Sequence, residues 1–193
     1  MRIEQLENEE SSVTIGIASF HNSNHMTQDE LINLALSLSN DSITIQFLNG
    51  LLIVDENHLL SAAQNAINAK NGNYMLSRSL DVEIIVFASA QRQIGKALDA
   101  LGVFDGLSEI AVVVVGPNPD SVGQKLQSLL KVIGGEIIPP FAATEERIER
   151  IKDHYEITDT EIKAILDSDK LESKLSALSR CVVSRVSLVA FDN

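Results

Sequence analysis

The sequence predicts an α/β fold: a central β-sheet flanked by helices, with a helical C-terminal segment packed on it. Apolar runs rich in β-branched residues, which are typical of buried strands, alternate along the chain with longer segments of helical periodicity. Thr or Asp stands at the N-cap position before several of the helical segments. After Pro139-Pro140 the strand pattern stops and only helical segments follow. Strands that alternate with helices are typical of a layered α/β architecture.

The first half of the chain contains two strand–helix alternations. Thr27, with Glu30 three residues later, makes a capping box, and Asp55 is a second N-cap, so each predicts the start of a helix. Asn49-Gly50 predicts a tight turn. The predicted elements are a strand over 13–20, a helix from Thr27 to about 38, a strand over 43–48, and a helix from Asp55 to about 70 that ends at Gly72.

The middle of the chain has a polar corner between two apolar segments. Glu83–Ala88 predicts a strand, and a short amphipathic helix over 92–101 follows it, closed by Gly102. This order would place Gln91–Gln93 at the carboxyl edge of the sheet, where three long side chains can meet a ligand. A buried strand over 110–115 and a helix from Pro119 to about 132 are predicted next.

The whole chain, 1–193, is predicted to form a single domain with two distinctive ends. Residues 1–12 are acidic and polar, and we expect them to form a mobile N-terminus. Residues 141–193 are the helical C-terminal segment, with helices over 144–155, 158–166 and 171 to about 191. The last helix is apolar on nearly every face after Cys181, so it either packs across the sheet or covers a partner protein.

Composition indicates a soluble protein of a reducing, cytoplasmic compartment. The single Cys181 excludes an intramolecular disulfide scaffold. No apolar run approaches the ~20 residues of a membrane span, so no membrane partner is expected. The net charge of −12 argues against a broad duplex-binding face. Residues 57–98 are the exception, since four basic and two acidic residues give +2 there. This is either chance clustering or a small site for single-stranded nucleotides.

The sequence does not assemble a catalytic or metal-binding group. It has no glycine-rich phosphate loop, and His21 and His25 lack a suitably placed carboxylate, so no catalytic residue, metal or cofactor is assigned. His58, in the first turn of a helix, is interpreted as a surface or capping residue. Arg147, among the acidic residues of 145–149, is interpreted as part of a solvated, salt-bridged face. These observations favour a binding protein over an enzyme.

The most distinctive motif is the run Ala88-Ser89-Ala90-Gln91-Arg92-Gln93-Ile94, followed by Ala97 and Gly102. Further positions that belong with it are Phe47-Leu48-Asn49, His58, Ser79-Leu80 before Glu83, and the helix end 184–188. Together these residues resemble the kinase-associated subunit of the KEOPS complex, also called the PRPK-binding protein family. The resemblance runs from about residue 13 to 191. A lengthened segment at 71–75 and a longer acidic N-terminus depart from it.

The resemblance implies a non-catalytic protein without a cofactor. It implies binding to the small atypical kinase/ATPase of KEOPS, indirect association with the other KEOPS subunits, and recruitment of tRNA by its single-stranded 3′ CCA end for threonylcarbamoyl-adenosine formation. The residues assigned to tRNA are Lys70, Arg78, Gln91, Arg92, Gln93 and Lys96, with Tyr74 as a possible stacking surface. The candidate kinase anchors are Leu98, Leu101, Val186 and Val189. The alternative is a small α/β enzyme or nucleotide-binding protein with its site at residues 88–96.

Overall fold

The structure, a computed structural model, describes residues 1–8 and 11–190. Its strands form one antiparallel sheet in the order β1-β2-β4-β3. The strands are β1 (Arg2–Asn8), β2 (Ser11–His21), β3 (Thr44–Asn49) and β4 (Glu109–Gly116). With helices on both of its faces, this sheet confirms the α/β fold class predicted from the sequence.

The helices begin and end close to the positions that their caps predict. Thr27 forms the expected capping box with Glu30, and Asp55 and Asn118 each accept a backbone N–H at a helix start. The helices are α1 (Gln28–Leu38), α2 (Glu56–Asn71), α3 (Leu80–Ala88), α4 (Ile94–Leu101), α5 (Pro119–Ile133), α6 (Glu145–His154), α7 (Asp159–Ile165) and α8 (Leu171–Leu188). Asn49-Gly50, predicted as a turn, leads into a single 3-10 turn over Gly50–Leu52.

Different helices cover the two faces of the sheet, because successive side chains of a strand point to opposite faces. On one face Ile15, Ile17 and Val113 pack with apolar residues of α2, α3, α4, α6, α7 and α8. On the other face Ile45 and Val114 pack with α1 and α5. All of β4 is buried, as predicted for the strand over 110–115.

The strand predicted over Glu83–Ala88 is wrong, because these residues belong to helix α3. All six of them are buried, because α3 packs against α2, α4, α8 and β3. A short apolar run does not by itself distinguish a buried helix from a buried strand. As a consequence, Gln91–Gln93 follow the carboxyl end of a helix and not the edge of the sheet.

The N-terminal segment, expected from its composition to be mobile over 1–12, contains a strand. Arg2–Asn8 form β1, which pairs with β2 in continuous antiparallel register. Leu6 packs on the core beside Val13. An outer strand keeps polar side chains in water, so an acidic composition is compatible with this position. Glu9 and Glu10 lie outside the described residues.

The predicted helices of the C-terminal segment are confirmed by α6, α7 and α8. Thr144 and Thr158 are their N-caps, and Thr158 completes the predicted capping box. Helix α8 packs mainly against α2 and so covers the core of this chain. It ends at Leu188, and the predicted extension to Phe191 reaches beyond the described residues.

Arg147 ties α6 to the sheet and does not belong to a solvated face, which corrects the interpretation from its acidic neighbours. Its side chain is buried, and Nη2 lies 2.6 Å from Oε2 of Glu109 on β4. Nη1 donates to the carbonyl oxygens of Gly50 and Ile53 over 2.8 and 2.9 Å. Ser19 Oγ donates to the second carboxylate oxygen of Glu109. The helical segment is therefore joined to β4 and the 3-10 turn by one buried polar network.

Candidate functional site

The distinctive motif begins with a well-defined helix end. The amide of Gln91 donates to the Val86 carbonyl and that of Ala90 to the Phe87 carbonyl, the pattern of a Schellman motif. Ala90 has φ of 53°, a left-handed conformation that glycine usually supplies at this position. Ser89 Oγ donates to the Val86 carbonyl as well. The chain therefore leaves α3 in a fixed direction, and residues 91–96 are all exposed.

A buried polar pair holds this helix end against the rest of the protein. His58 Nε2 lies 2.8 Å and Tyr155 Oη 2.9 Å from the carbonyl oxygen of Ala88. A carbonyl oxygen only accepts, so His58 carries a proton on Nε2 and Tyr155 donates its hydroxyl proton. Burial lowers the pKa of His58 to about 4 and raises the pKa of Tyr155, so both are neutral at neutral pH. His58 is fully buried, which corrects its interpretation as a surface or capping residue.

The start of α3 is fixed in a comparable way by Glu83. Its two carboxylate oxygens accept the backbone amides of Leu76 and Ser77 over 3.0 and 2.7 Å. This buried carboxylate thereby shapes the connection over 72–79 that carries Arg78. His58, Glu83 and Ser89, which take part in the family resemblance, are thus structural residues that position both ends of α3.

A polar cleft of about 250 Å³ opens beside the helix end. Arg185 on its wall donates to Glu161 Oε1 over 2.8 Å and to the Glu156 carbonyl over 3.2 Å. Partial burial lowers the pKa of His154. The cleft is lined by Ser89, Ala90, Gln91, His154, Tyr155, Glu156, Arg185 and Leu188. Its polar walls offer both donors and acceptors to a ligand.

The six residues assigned to tRNA are all exposed, but the structure divides them into two groups. His58 and Ala88 are in contact, while Lys70 and Leu80 border one cleft at the other end of the same helix pair, so α2 and α3 run antiparallel. From His58 to Lys70, α2 rises by roughly 18 Å at 1.5 Å per residue. We call Lys70 and Arg78 the lower group and Gln91, Arg92, Gln93 and Lys96 the upper group.

Tyr74 lies with the lower group, away from Arg92. Its ring packs on Gly72, where an added Cβ would come within 2.5 Å of Tyr74 Cε1. The ring is half-exposed, so one face remains accessible. The lower group thus combines two cations with an aromatic surface, and the upper group combines two cations with two amides.

Arg92 has a structural contact in addition to its exposure. Its Nη1 donates to the carbonyl oxygen of Val189, 3.0 Å away, at the end of α8. No hydrogen bond or ion pair within the described residues engages the charged groups of Lys70, Arg78 or Lys96. These three ammonium and guanidinium groups are therefore available to a ligand.

Three of the four candidate kinase anchors are core residues, which corrects their assignment to a surface. Leu101 and Val186 are 0% exposed and Val189 is 3% exposed. These three positions are buried because α4 and α8 have neighbours on more than one side. Leu98 is different, since 42% of it is exposed.

Leu98 is one of three exposed apolar residues in α4 or just after it, which we call the α4 ridge. Ile94 lies one turn before Leu98 on the same helix face, and Phe104 follows the end of α4. All three are large and at least one-third exposed. Sequence periodicity could have found Ile94 and Leu98 at spacing i, i+4, but it could not tell which face α4 buries.

The alternative site at residues 88–96 does not lie at an edge of the sheet. Residues 88–96 join helices α3 and α4. Within 1–8 and 11–190, no group of three or more His, Cys, Asp or Glu side chains is placed to hold a metal ion. No helix of the described chain is both long and apolar enough to cross a membrane.

A comparison with curated proteins gave no match for this chain. A family model described as kinase binding protein CGI-121 matches residues 20–190. The matched range includes α3, the Schellman corner, the α4 ridge and the His58–Tyr155 pair. Because the match covers most of the sequence, the chain belongs to the kinase binding protein CGI-121 family.

Proposed function

We propose that this chain is a non-catalytic accessory subunit that binds and supports the atypical kinase/ATPase of the KEOPS complex in the cytoplasm. It associates with the other KEOPS subunits indirectly and helps to recruit tRNA by its 3′ CCA end for threonylcarbamoyl-adenosine formation. The observation that carries the proposal is the match to a kinase binding family over residues 20–190. The distinctive motif of residues 88–94 supports the narrower assignment to KEOPS.

The kinase contact is proposed at the α4 ridge. Ile94, Leu98 and Phe104 expose apolar area that no other described element covers. Exposed apolar side chains are typical of protein-binding surfaces when they form a patch, and aliphatic or aromatic anchors buried on binding contribute most of the binding free energy. This assignment retains Leu98 from the sequence prediction and replaces the three buried anchors with Ile94 and Phe104.

The tRNA contact is proposed at the upper and lower groups together. Single-stranded RNA is bound by cations that follow its backbone and by aromatic rings on which bases stack. Lys70, Tyr74 and Arg78 offer both features, while Arg92 and Lys96 offer cations beside the polar cleft. Since the rest of the protein is acidic, these exposed cations are favourable positions for phosphate groups.

Co-purification with the kinase tests the proposal. The full chain is mixed with the isolated KEOPS kinase, and the complex is measured by size-exclusion chromatography and calorimetry. We expect a one-to-one complex and, in the presence of this chain, a higher ATPase rate of the kinase. Absence of a complex at micromolar concentrations would overturn the kinase assignment. A complex without measurable binding of intact tRNA would overturn only the tRNA assignment.

A further inference from the structure

Strand β1 forms one outer edge of the sheet. It pairs with β2 from Arg2, opposite Ile17, to Asn8, opposite Ser11. Farther along the same side of β2, His21 donates its amide to the Gly135 carbonyl, and Ser19 accepts the amide of Ile137. The odd-numbered residues of β2 therefore direct their N–H and C=O groups toward the side on which β1 lies.

This pattern determines which backbone groups of β1 face outward. Hydrogen-bonding sides alternate along an antiparallel strand, so residues 13, 15 and 17 of β2 bond to their partners Leu6, Glu4 and Arg2. Ile3 and Gln5 lie between those positions and direct their N–H and C=O groups away from the sheet. No backbone or side-chain group among the described residues bonds to them.

At the opposite edge of the sheet, on β3, side chains bond to outward backbone groups. On β3, Ser39 Oγ accepts the outward amide of Ile45 over 3.2 Å. The side-chain amide of Gln46 donates to the outward carbonyl of Phe47. Side chains thus occupy hydrogen-bonding groups on which another strand would depend, and blocked edges of this kind disfavour strand addition. Of the two edges, β1 is the one that can accept a further strand without displacing such a contact.

The charge of β1 determines which strand would fit. The first ten residues carry Arg2 against Glu4, Glu7, Glu9 and Glu10. Arg2 is already engaged, since it donates to Glu4 over 2.9 Å and to Asn57 over 2.8 Å. Because Arg2 and Glu4 pair with each other, Glu7, Glu9 and Glu10 give this segment its negative charge, and two copies of it would repel each other. A strand with lysine or arginine side chains is complementary.

We propose that β1 is a docking edge for an extended, basic segment of a partner protein, which binds by strand addition. Side chains of an added strand alternate between the two sheet faces. On one face a residue opposite Ile3 would contact its 40%-exposed side chain, which packs near Gly123 of α5. On the other face a neighbouring cation would lie beside Glu4. The partner segment therefore alternates apolar and basic residues.

The test uses a ten-residue peptide that alternates valine and lysine, and a matched peptide that alternates valine and glutamate. Binding of each to the full chain is measured by fluorescence anisotropy, with the variants Gln5→Pro and Gln5→Ala. We expect the lysine peptide to bind the wild type and Gln5→Ala equally. Gln5→Pro removes one outward N–H and should weaken binding by about tenfold or more. The glutamate peptide should not bind.

Gln5→Pro and Gln5→Ala carry the same charge. A difference in peptide binding between them therefore reports strand addition and not a general attraction of the lysine peptide to an acidic protein. Proline is tolerated on an edge strand where its missing N–H faces solvent, so Gln5→Pro should keep the wild-type melting temperature. A lysine peptide in which alternate amides are N-methylated cannot form the backbone hydrogen bonds of an added strand, and the protein is unaltered. It replaces Gln5→Pro as the test if that variant unfolds. Equal binding by the methylated peptide, binding of the glutamate peptide, or no binding at all overturns the proposal. A dimer of the free chain that Gln5→Pro dissociates would identify a second copy as the occupant instead.

Discussion

Arg92 donates from Nη1 to the carbonyl oxygen of Val189 and so joins the corner after α3 to the end of α8. Arg92 is one of the six residues assigned to tRNA, and it therefore also contacts the C-terminal helix. An RNA phosphate that recruits Arg92 has to compete with this carbonyl, which is a neutral acceptor. A charged phosphate is the stronger acceptor for a guanidinium group. The contact with Val189 is thus compatible with RNA binding. A variant of Arg92 would lose both interactions, so its effect on RNA binding has to be compared with that of a second basic residue.

Charge reversal in the upper group should weaken tRNA binding. We expect Arg92→Glu and Lys96→Glu each to reduce affinity for intact tRNA. Each should also reduce the slope of log binding constant against log salt concentration by about one. The ammonium group of Lys96 makes no hydrogen bond or ion pair within the described residues, so its variant isolates the electrostatic effect. The control is Lys131→Glu, an exposed cation on α5 across the sheet. Removal of the terminal CCA should abolish the difference between Lys96→Glu and this control.

The buried Arg147 should contribute to the stability of the fold. We expect Arg147→Leu to lower the free energy of unfolding by about 3–5 kcal/mol, since Glu109 would remain buried without its partner. Two backbone carbonyls would also lose a donor. Urea denaturation measures the change. In Arg147→Leu/Glu109→Gln the uncompensated charge is removed, so the double variant should be more stable than Arg147→Leu. A single variant as stable as wild type would contradict the structural role of this network.

The α4 ridge predicts a separation of binding from folding. Leu98→Glu should abolish co-elution with the kinase and leave the melting temperature nearly unchanged, because a charge in an interface is desolvated without a partner. The matched control is Val132→Glu on α5, where the wild-type residue is also 42% exposed. Leu101→Glu should unfold the chain, since Leu101 is fully buried. If Leu98→Glu binds like Val132→Glu, the kinase contact lies elsewhere.

Local sequence signals predicted most element boundaries, because caps act over only three or four residues. Thr27, Asp55 and Thr158 make the side-chain contacts that their spacing predicts. The type of α3 could not be obtained in this way. Its run Ile84–Ala88 is apolar on every face because four elements surround it, and that environment is created only by tertiary packing. The strand β1 was missed because an acidic edge strand lacks a strong apolar alternation.

The exposure of the assigned site residues could be predicted where it follows from residue type, and could not be predicted where it depends on packing. The long cations and amides of the upper group are on the surface, as expected for such side chains. Val186 and Val189 are equally apolar in either environment, so composition could not separate core from interface. His58 looked like a capping residue because its proximity to Ala88 and Tyr155, 30 and 97 residues away, is set by the fold.

His58 predicts a pH dependence of stability. Its pKa in the folded protein is about 4, below the ordinary value of 6.5, because burial disfavours the charged ring. The unfolded chain therefore takes up a proton as the pH falls through 6.5, while the folded chain does not until about 4. The contribution of neutral His58 to the free energy of unfolding is fully present above pH 6.5. It is lost progressively as the pH falls from 6.5 to 4, by roughly 3 kcal/mol.

The variant His58→Gln should remove this contribution. Its free energy of unfolding should be lower than that of wild type at pH 7, and the difference should narrow as the pH approaches 4. Because Asp and Glu titrate in both proteins, the comparison isolates the histidine. The exposed His21, replaced by Gln, is the control and should follow the wild-type profile. Parallel profiles for His58→Gln and wild type would show that His58 is not held neutral by the fold.

Glu83 connects the fold to the lower group of the proposed tRNA site. Its carboxylate accepts the amides of Leu76 and Ser77, so Glu83→Ala should free the connection over 72–79. Hydrogen exchange at those two amides should accelerate strongly relative to amides of β4, which remain protected by the sheet. If the lower group contacts RNA, the freed connection has to become ordered on binding, which costs conformational entropy. The affinity for intact tRNA should therefore fall, although no cation is lost.

The matched control is charge reversal at Asp99, an exposed carboxylate on α4, which should leave exchange at Leu76 unchanged. Faster exchange without any loss of tRNA affinity would restrict the RNA contact to the upper group.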